Sequence, residues 1–94
     1  MKKEDNWNDF LRLCQKIKTE RQWDHFLKLF LTIKEREAIM KRYSITKLLF
    51  NQRLTQRQIA KSTKTSIANI TRGSNYIKGM DRVFKQFLTN HLKG

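Results

Sequence analysis

Between positions 39 and 50 the apolar residues Ile39, Met40, Tyr43, Ile45, Leu48, Leu49 and Phe50 fall on several sides of an α-helix rather than along one stripe. A helix that is apolar nearly all round has to be enclosed on every side. A chain of 94 residues offers little with which to enclose it, and a domain of this size buries only a modest share of its own surface. The segment therefore predicts a central helix wrapped by elements of a second copy of the chain, with folding and association coupled.

The flanking sequence is helical too. Trp7, Phe10, Leu11, Cys14 and Ile17 follow the 3, 4, 7 spacing of one buried face, and Trp23, Phe26, Leu27, Phe30 and Leu31 repeat it. There is no proline, and glycine occurs only at 73, 79 and 94, so boundaries must come from caps. Thr32-Ile33-Lys34-Glu35 has the form of a capping box, which starts a third helix running to about Gln52. Val83, Phe84, Phe87, Leu88 and Leu92 outline a last amphipathic helix after a stop at Gly79. A hydrophobic fraction of 38%, with six Phe, two Trp and two Tyr, is too rich for a disordered basic tail. The expectation is an all-α, obligately dimeric bundle.

Several classes fall away. The single cysteine, Cys14, makes no intrachain disulfide framework, and with only His25 and His91 there is no zinc spacing, so a reducing cytoplasm is the expected compartment. No apolar run has the length of a signal peptide core or a membrane span. No nucleophile with a base, no paired carboxylates and no metal cluster can be assembled, and Gly73-Ser74 has no strand-turn-helix elbow, so no enzyme is expected.

The net charge of +13 is unevenly placed. Residues 1–31 carry net +2 and residues 32–94 net +11. Between Glu37 and Asp81 there is no acidic residue, yet Lys41, Arg42, Lys47, Arg53, Arg57, Lys61, Lys64, Arg72 and Lys78 lie in that interval. Nine bases without an acid favour a polyanion over a merely solvated face. They are dispersed among Thr, Ser and Asn instead of opposing one apolar stripe, which does not suit a membrane-surface helix.

Within that interval, Thr55-Gln56-Arg57-Gln58 opens a short helix through about Ser62, with Ile59 and Ala60 on its inner side. Polar residues Thr63 to Ser66 break it, and a second helix from about Ser66 buries Ile67, Ile70 and Ile77. Ala60 is small where the two helices would cross. This is a helix-turn-helix pattern, weighed against an ordinary helical hairpin, and the surrounding charge favours DNA. Gln56 and Arg57 head the first helix, where they reach phosphates or a base edge, and Lys61 and Lys64 suit phosphates. Thr65, Ser66, Ala68 and Asn69 sit at the end of the second helix that enters the major groove, where Asn pairs bidentately with adenine and Ala touches a thymine methyl. Thr71 completes the expected DNA-binding set. Gly73 costs about 1 kcal/mol relative to Ala inside a helix, so it marks fraying or a close approach, weighed evenly against simple tolerance of the glycine.

Leu31-Thr32, Glu35-Arg36-Glu37-Ala38, Gln56-Arg57 and above all Ile67-Ala68-Asn69-Ile70-Thr71-Arg72-Gly73-Ser74-Asn75 closely resemble the bacterial tryptophan repressor family, over roughly residues 22–88. The resemblance implies an intertwined six-helix homodimer with a helix-turn-helix reading head, repressing tryptophan biosynthesis genes from a double-stranded operator when L-tryptophan is bound as corepressor. Residues 1–94 form one domain on this reading: 1–54 dimerisation core helices, 55–78 the helix-turn-helix, 81–92 a C-terminal dimerisation helix. The resemblance puts Arg42 and Arg72 on either side of the indole, with Arg72 and Thr32 on the carboxylate. It puts the Leu29 and Leu31 carbonyls of the second subunit on the ammonium group, and Gly73 and Tyr76 beside the ligand. An arginine plane suits both jobs, stacking on an aromatic face while offering donors to an anion. The chain departs from the family pattern at Lys64-Thr65-Ser66, in place of a glycine-containing turn, at Tyr76, in place of a serine, and at Ala60, in place of a basic residue. No metal and no cofactor other than the corepressor is expected. The alternative is a ligand-independent basic nucleic-acid-binding protein, architectural or RNA-binding.

Overall fold

The computed structural model describes residues 3–92; Met1, Lys2, Lys93 and Gly94, at the ends of the expected 1–94 domain, lie outside the described residues. The described regular structure is entirely helical: α1 (Lys3–Gln15), α2 (Glu20–Phe30), α3 (Ile33–Asn51), α4 (Gln56–Thr63), α5 (Ile67–Lys78) and α6 (Arg82–Leu92). The chain divides into two compact units, Met1–Arg36 and Glu37–Gly94, with the first turn of α3 in the former.

In the first unit, rings hold α1 to α2. Phe10 stacks on Phe26 at 5.5 Å between centroids and meets Phe30 edge-on at 5.5 Å. Trp7 and Trp23 extend the cluster at 5.9 Å from Phe10 and 5.7 Å from Phe26. A capping box that the hydrophobic pattern does not announce opens α2: the Gln22 N–H donates to Thr19 Oγ1 at 3.0 Å and the Thr19 N–H to Gln22 Oε1 at 3.2 Å. Ile17 and Leu31, expected on helical stripes, lie just outside the helices. The Ile17 N–H donates to the Cys14 carbonyl in a tightened terminal turn, and Leu31 adopts extended backbone as α2 stops, its N–H on the Leu27 carbonyl. Lys28 Nζ donates to Asp24 Oδ2 at 2.9 Å and holds that carboxyl below its ordinary range. The pair is exposed, so it adds little, and what it adds is present above the usual carboxylate range and lost as the pH falls.

Thr32 and Glu35 form the expected box at the head of α3, with the Glu35 N–H on Thr32 Oγ1 at 3.1 Å and the Thr32 N–H on Glu35 Oε1 at 2.8 Å. In the second unit α3 ends at Asn51 and the chain turns through Gln52, whose φ of 57° is left-handed. Thr55 and Gln58 cap α4 reciprocally at 3.1 and 2.8 Å. Asp81 caps α6, accepting from the Phe84 N–H at 2.9 Å.

The packed core of this unit is Ile59, Ala60 and Ile70, closed by Ile45, Leu48 and Leu49 of α3. Ile70 is wholly buried and Ala60 nearly so. Ile67, expected inside, is 45% exposed: three residues before Ile70, it lies about 60° round the helix, and the contact with α4 is already filled by Ile70. Among the described residues only Phe50, Ile59, Ala60 and Ile70 are buried apolar side chains, while Ile39, Met40, Tyr43, Val83, Phe84 and Phe87 are exposed. Urea denaturation at fixed protein concentration should show Ile70→Ala losing about 2–5 kcal/mol and Ile67→Ala far less.

Candidate nucleic-acid interface and ligand site

The turn joining α4 to α5 is built from side chains and one strained residue. Thr63 Oγ1 donates to the Ile59 carbonyl at 2.7 Å, so α4 includes Thr63 and the break is Lys64 to Ser66. Lys64 sits in the left-handed region, φ 54°, ψ 46°, where its N–H reaches the carbonyls of Ala60 and Lys61. The Thr65 N–H donates to the Ala60 carbonyl at 2.9 Å and its hydroxyl to the Thr63 carbonyl at 3.2 Å. Ser66 then caps α5, its Oγ accepting from the Asn69 N–H at 3.2 Å.

Because Ile59, Ala60 and Ile70 take the inner side, the polar residues of both helices face out. Arg57, Lys61, Lys64, Ser66, Ala68, Asn69 and Thr71 are exposed, and Gln56 and Thr65 are half-buried. Gln56 and Thr71 are brought together across the pair, Thr71 Oγ1 donating to Gln56 Oε1 at 2.8 Å. That bond turns the glutamine's oxygen toward Thr71 and leaves its amide hydrogens as donors toward any anion nearby. Asn75, exposed and outside the sequence-derived contact set, follows Ala68 and Thr71 at seven- and four-residue spacing. The helical period puts it on the same side of α5 as those two. No acidic side chain occurs on α4 or α5.

The residues expected around the ligand fall in both units. In the second, Arg42 is exposed on α3 and makes no ion pair among the described residues, and Lys47 lies over the Tyr43 ring, at 5.8 Å. Arg72, Gly73 and Tyr76 share one side of α5. A methyl group at Gly73 would meet only Leu49 Cδ1, at an ordinary 3.5 Å, so the packing of the chain itself does not demand glycine there. Nor does the helix fray at it, since α5 runs unbroken through Gly73 to Lys78. Tyr76 is 74% exposed and borders an open groove with Asn75, Gly79, Met80, Asp81 and Phe84. In the first unit, Thr32 is engaged as the α3 cap, its Oγ1 accepting from the Glu35 N–H and its carbonyl from the Arg36 N–H at 2.9 Å. Intrahelical bonding of α2 ends with the Leu31 N–H on the Leu27 carbonyl, so the Leu29 carbonyl belongs to the partially negative end of that helix. No group of three metal-ligating side chains occurs among the described residues, and no described helix is long and apolar enough to cross a membrane.

The sequence matches the family described as Trp repressor protein over residues 5–92. The chain belongs to the Trp repressor family. It is 51% identical over 87 residues to a Trp operon repressor homolog of Chlamydia caviae, covering 93% of this chain and 86% of the relative. To the homolog of Chlamydia trachomatis serovar D it is 44% identical over 89 residues, 95% of each chain. To that of Haemophilus influenzae strain Rd it is 41% identical over 88 residues, covering 94% and 87%. This member of the Trp repressor family is thus a transcription regulator rather than an enzyme.

Within that family setting, Lys64 is held in a backbone conformation that costs an L-residue roughly 1–2 kcal/mol and glycine almost nothing. Lys64→Gly should therefore raise the thermal midpoint, measured by circular dichroism at fixed concentration, and a lowered midpoint would show that the lysine side chain more than offsets its strain.

Proposed function

We propose that this chain is a ligand-switched transcriptional repressor, acting in the cytoplasm as a homodimer that binds a double-stranded operator when L-tryptophan occupies it as corepressor and so regulates tryptophan biosynthesis genes. The observation that carries the reading is the α4–α5 pair. It has its own apolar contact at Ile59, Ala60 and Ile70, and it turns a wholly non-acidic set of polar and basic residues outward. Such a unit is a helix-turn-helix, with α5 as the helix that enters the major groove.

In this reading Arg57, Lys61 and Lys64 meet phosphates, Gln56 and Thr71 act together at the backbone, and Thr65, Ser66, Ala68 and Asn69 face base edges. Two heads follow from a dimer, and the exposed Ile39, Met40, Tyr43, Val83, Phe84 and Phe87 are the surface it would cover. A glycine that the packing of the chain itself does not require supports a ligand lying against α5, stacked by Arg42 and Arg72, with Arg72 and Thr32 on its carboxylate, the partner's Leu29 and Leu31 carbonyls on its ammonium group, and Tyr76 beside it. The corepressor then stabilises the arrangement of heads that fits DNA, and its preference for that arrangement is the driving force.

Light scattering after size exclusion should find a dimer at micromolar concentration; a compact monomer would remove the two-headed reading. Calorimetry should separate two arginines. Arg57→Ala should lower duplex affinity and leave L-tryptophan binding nearly intact. Arg72→Ala removes a charge-assisted bond worth about 1.5–3 kcal/mol, so ligand affinity should fall at least about tenfold. If Arg72→Ala bound tryptophan as the parent does, the pocket would be elsewhere, and a protein that binds nucleic acid without a ligand would be the better description.

A further inference from the structure

Asn69 and Arg72 stand three residues apart on α5, side by side on its exposed surface, and Arg72 Nη1 meets Asn69 Oδ1 at 3.2 Å. A guanidinium has donors only, so the amide atom it faces must be the oxygen, and the orientation of the asparagine is thereby set. What Asn69 presents outward is its NH2 group. In the reading above, which this inference rests on, these two residues have separate tasks: one reads a base and the other holds the ligand. The hydrogen bond joins the tasks.

Adenine offers an acceptor, N7, and a donor, N6–H, to the major groove, and an asparagine distinguishes it by using its oxygen and its NH2 group together. While Arg72 holds Oδ1, one of that oxygen's two lone pairs is taken and the arginine rather than the base sets the amide plane, so the oxygen and the NH2 group are not both aligned on adenine and the NH2 donor dominates the contact. Guanine N7 and O6 or thymine O4 satisfy a donor as well as adenine N7 does. A carboxylate at Arg72 changes this. It is a charged acceptor, forms the stronger bond and takes two parallel N–H groups, drawing the guanidinium plane toward itself and away from a neutral amide. We infer that Arg72 is a positioning residue for Asn69, so that Asn69 is an unselective donor without ligand and a bidentate reader of adenine with it. The ligand then alters which operators are chosen, in addition to how tightly they are held.

The experiment is a binding selection from a randomised inverted-repeat duplex library, at low salt where the ligand-free protein also binds, with full-length protein in the presence and absence of L-tryptophan. The wild type, Asn69→Ala, Arg72→Ala and Arg72→Met are compared, each first checked for helicity and oligomeric state. The position read by Asn69 is the one whose preference Asn69→Ala abolishes. With tryptophan, wild-type protein should favour adenine there by about 5-fold or more, the range of a bidentate contact, and without tryptophan by less than twofold. Arg72→Ala, with its oxygen free, should show the adenine preference with no tryptophan present; Arg72→Met, which keeps the aliphatic stem but has no donor, serves if the alanine variant misfolds. A loss of affinity spread evenly over all sequences in both Arg72 variants, or a wild-type adenine preference indifferent to tryptophan, overturns the inference. Failure of tryptophan to bind the wild type in calorimetry overturns the corepressor reading instead, and the ligand-free preference of the Arg72 variants still decides whether Arg72 governs Asn69.

Discussion

Ile70 against Ile59 and Ala60 is the contact on which the polar surface of this protein depends. Two isoleucine side chains with almost no solvent exposure meet at a residue small enough to let the helices come close. Short helices of 8 and 12 residues have little stability of their own. Once their inner sides are committed to this contact and to Ile45, Leu48 and Leu49 beneath it, the direction of every other side chain on α4 and α5 follows from the helical period. The outward set is polar, basic and free of acids because the sequence is so at those azimuths.

The caps do comparable work at the helix ends. Thr19, Thr32 and Thr55 each exchange bonds with a Gln or Glu three residues on, and Ser66 and Asp81 accept a single amide. In a chain without proline these five residues satisfy amide donors that would otherwise need water, and they fix where α2 to α6 begin. The turn between α4 and α5 adds a left-handed Lys64, a conformation glycine would adopt more cheaply. A lysine there exchanges some stability for a positive charge beside the head of α5.

Elsewhere the chain is far from saturating its apolar groups. Val83, Phe84 and Phe87 on α6 and Ile39, Met40 and Tyr43 on α3 remain open to solvent. Apolar exposure on this scale is costly to leave bare, and it is the physical ground for the proposed dimer. The arginines of the proposed pocket are in a similar position. Arg42 has no ion pair among the described residues, and Arg72 holds only a neutral amide, so both guanidinium groups keep donors for an anion.

Sequence alone determined the parts set by local rules. Periodicity placed six helices, the Thr32 and Thr55 boxes marked two starts to the residue, and the acid-free interval from 38 to 80 located the basic surface. It erred by a residue or two, overrunning the helix ends at Ile17 and Leu31 and stopping α4 one residue short of Thr63, since neither a hydrophobic stripe nor a polar run records where the backbone turns. Burial of Ile67 was misjudged for a related reason: amphipathicity names a face, but only packing chooses which residue on it occupies the contact, and Ile70 does. The hydrogen bonds of Thr71 to Gln56, fifteen residues away, and of Arg72 to Asn69 were beyond the sequence altogether. Residue types and spacing say what a side chain can donate or accept, whereas which partner it meets depends on the distance and angle that the packed helices impose.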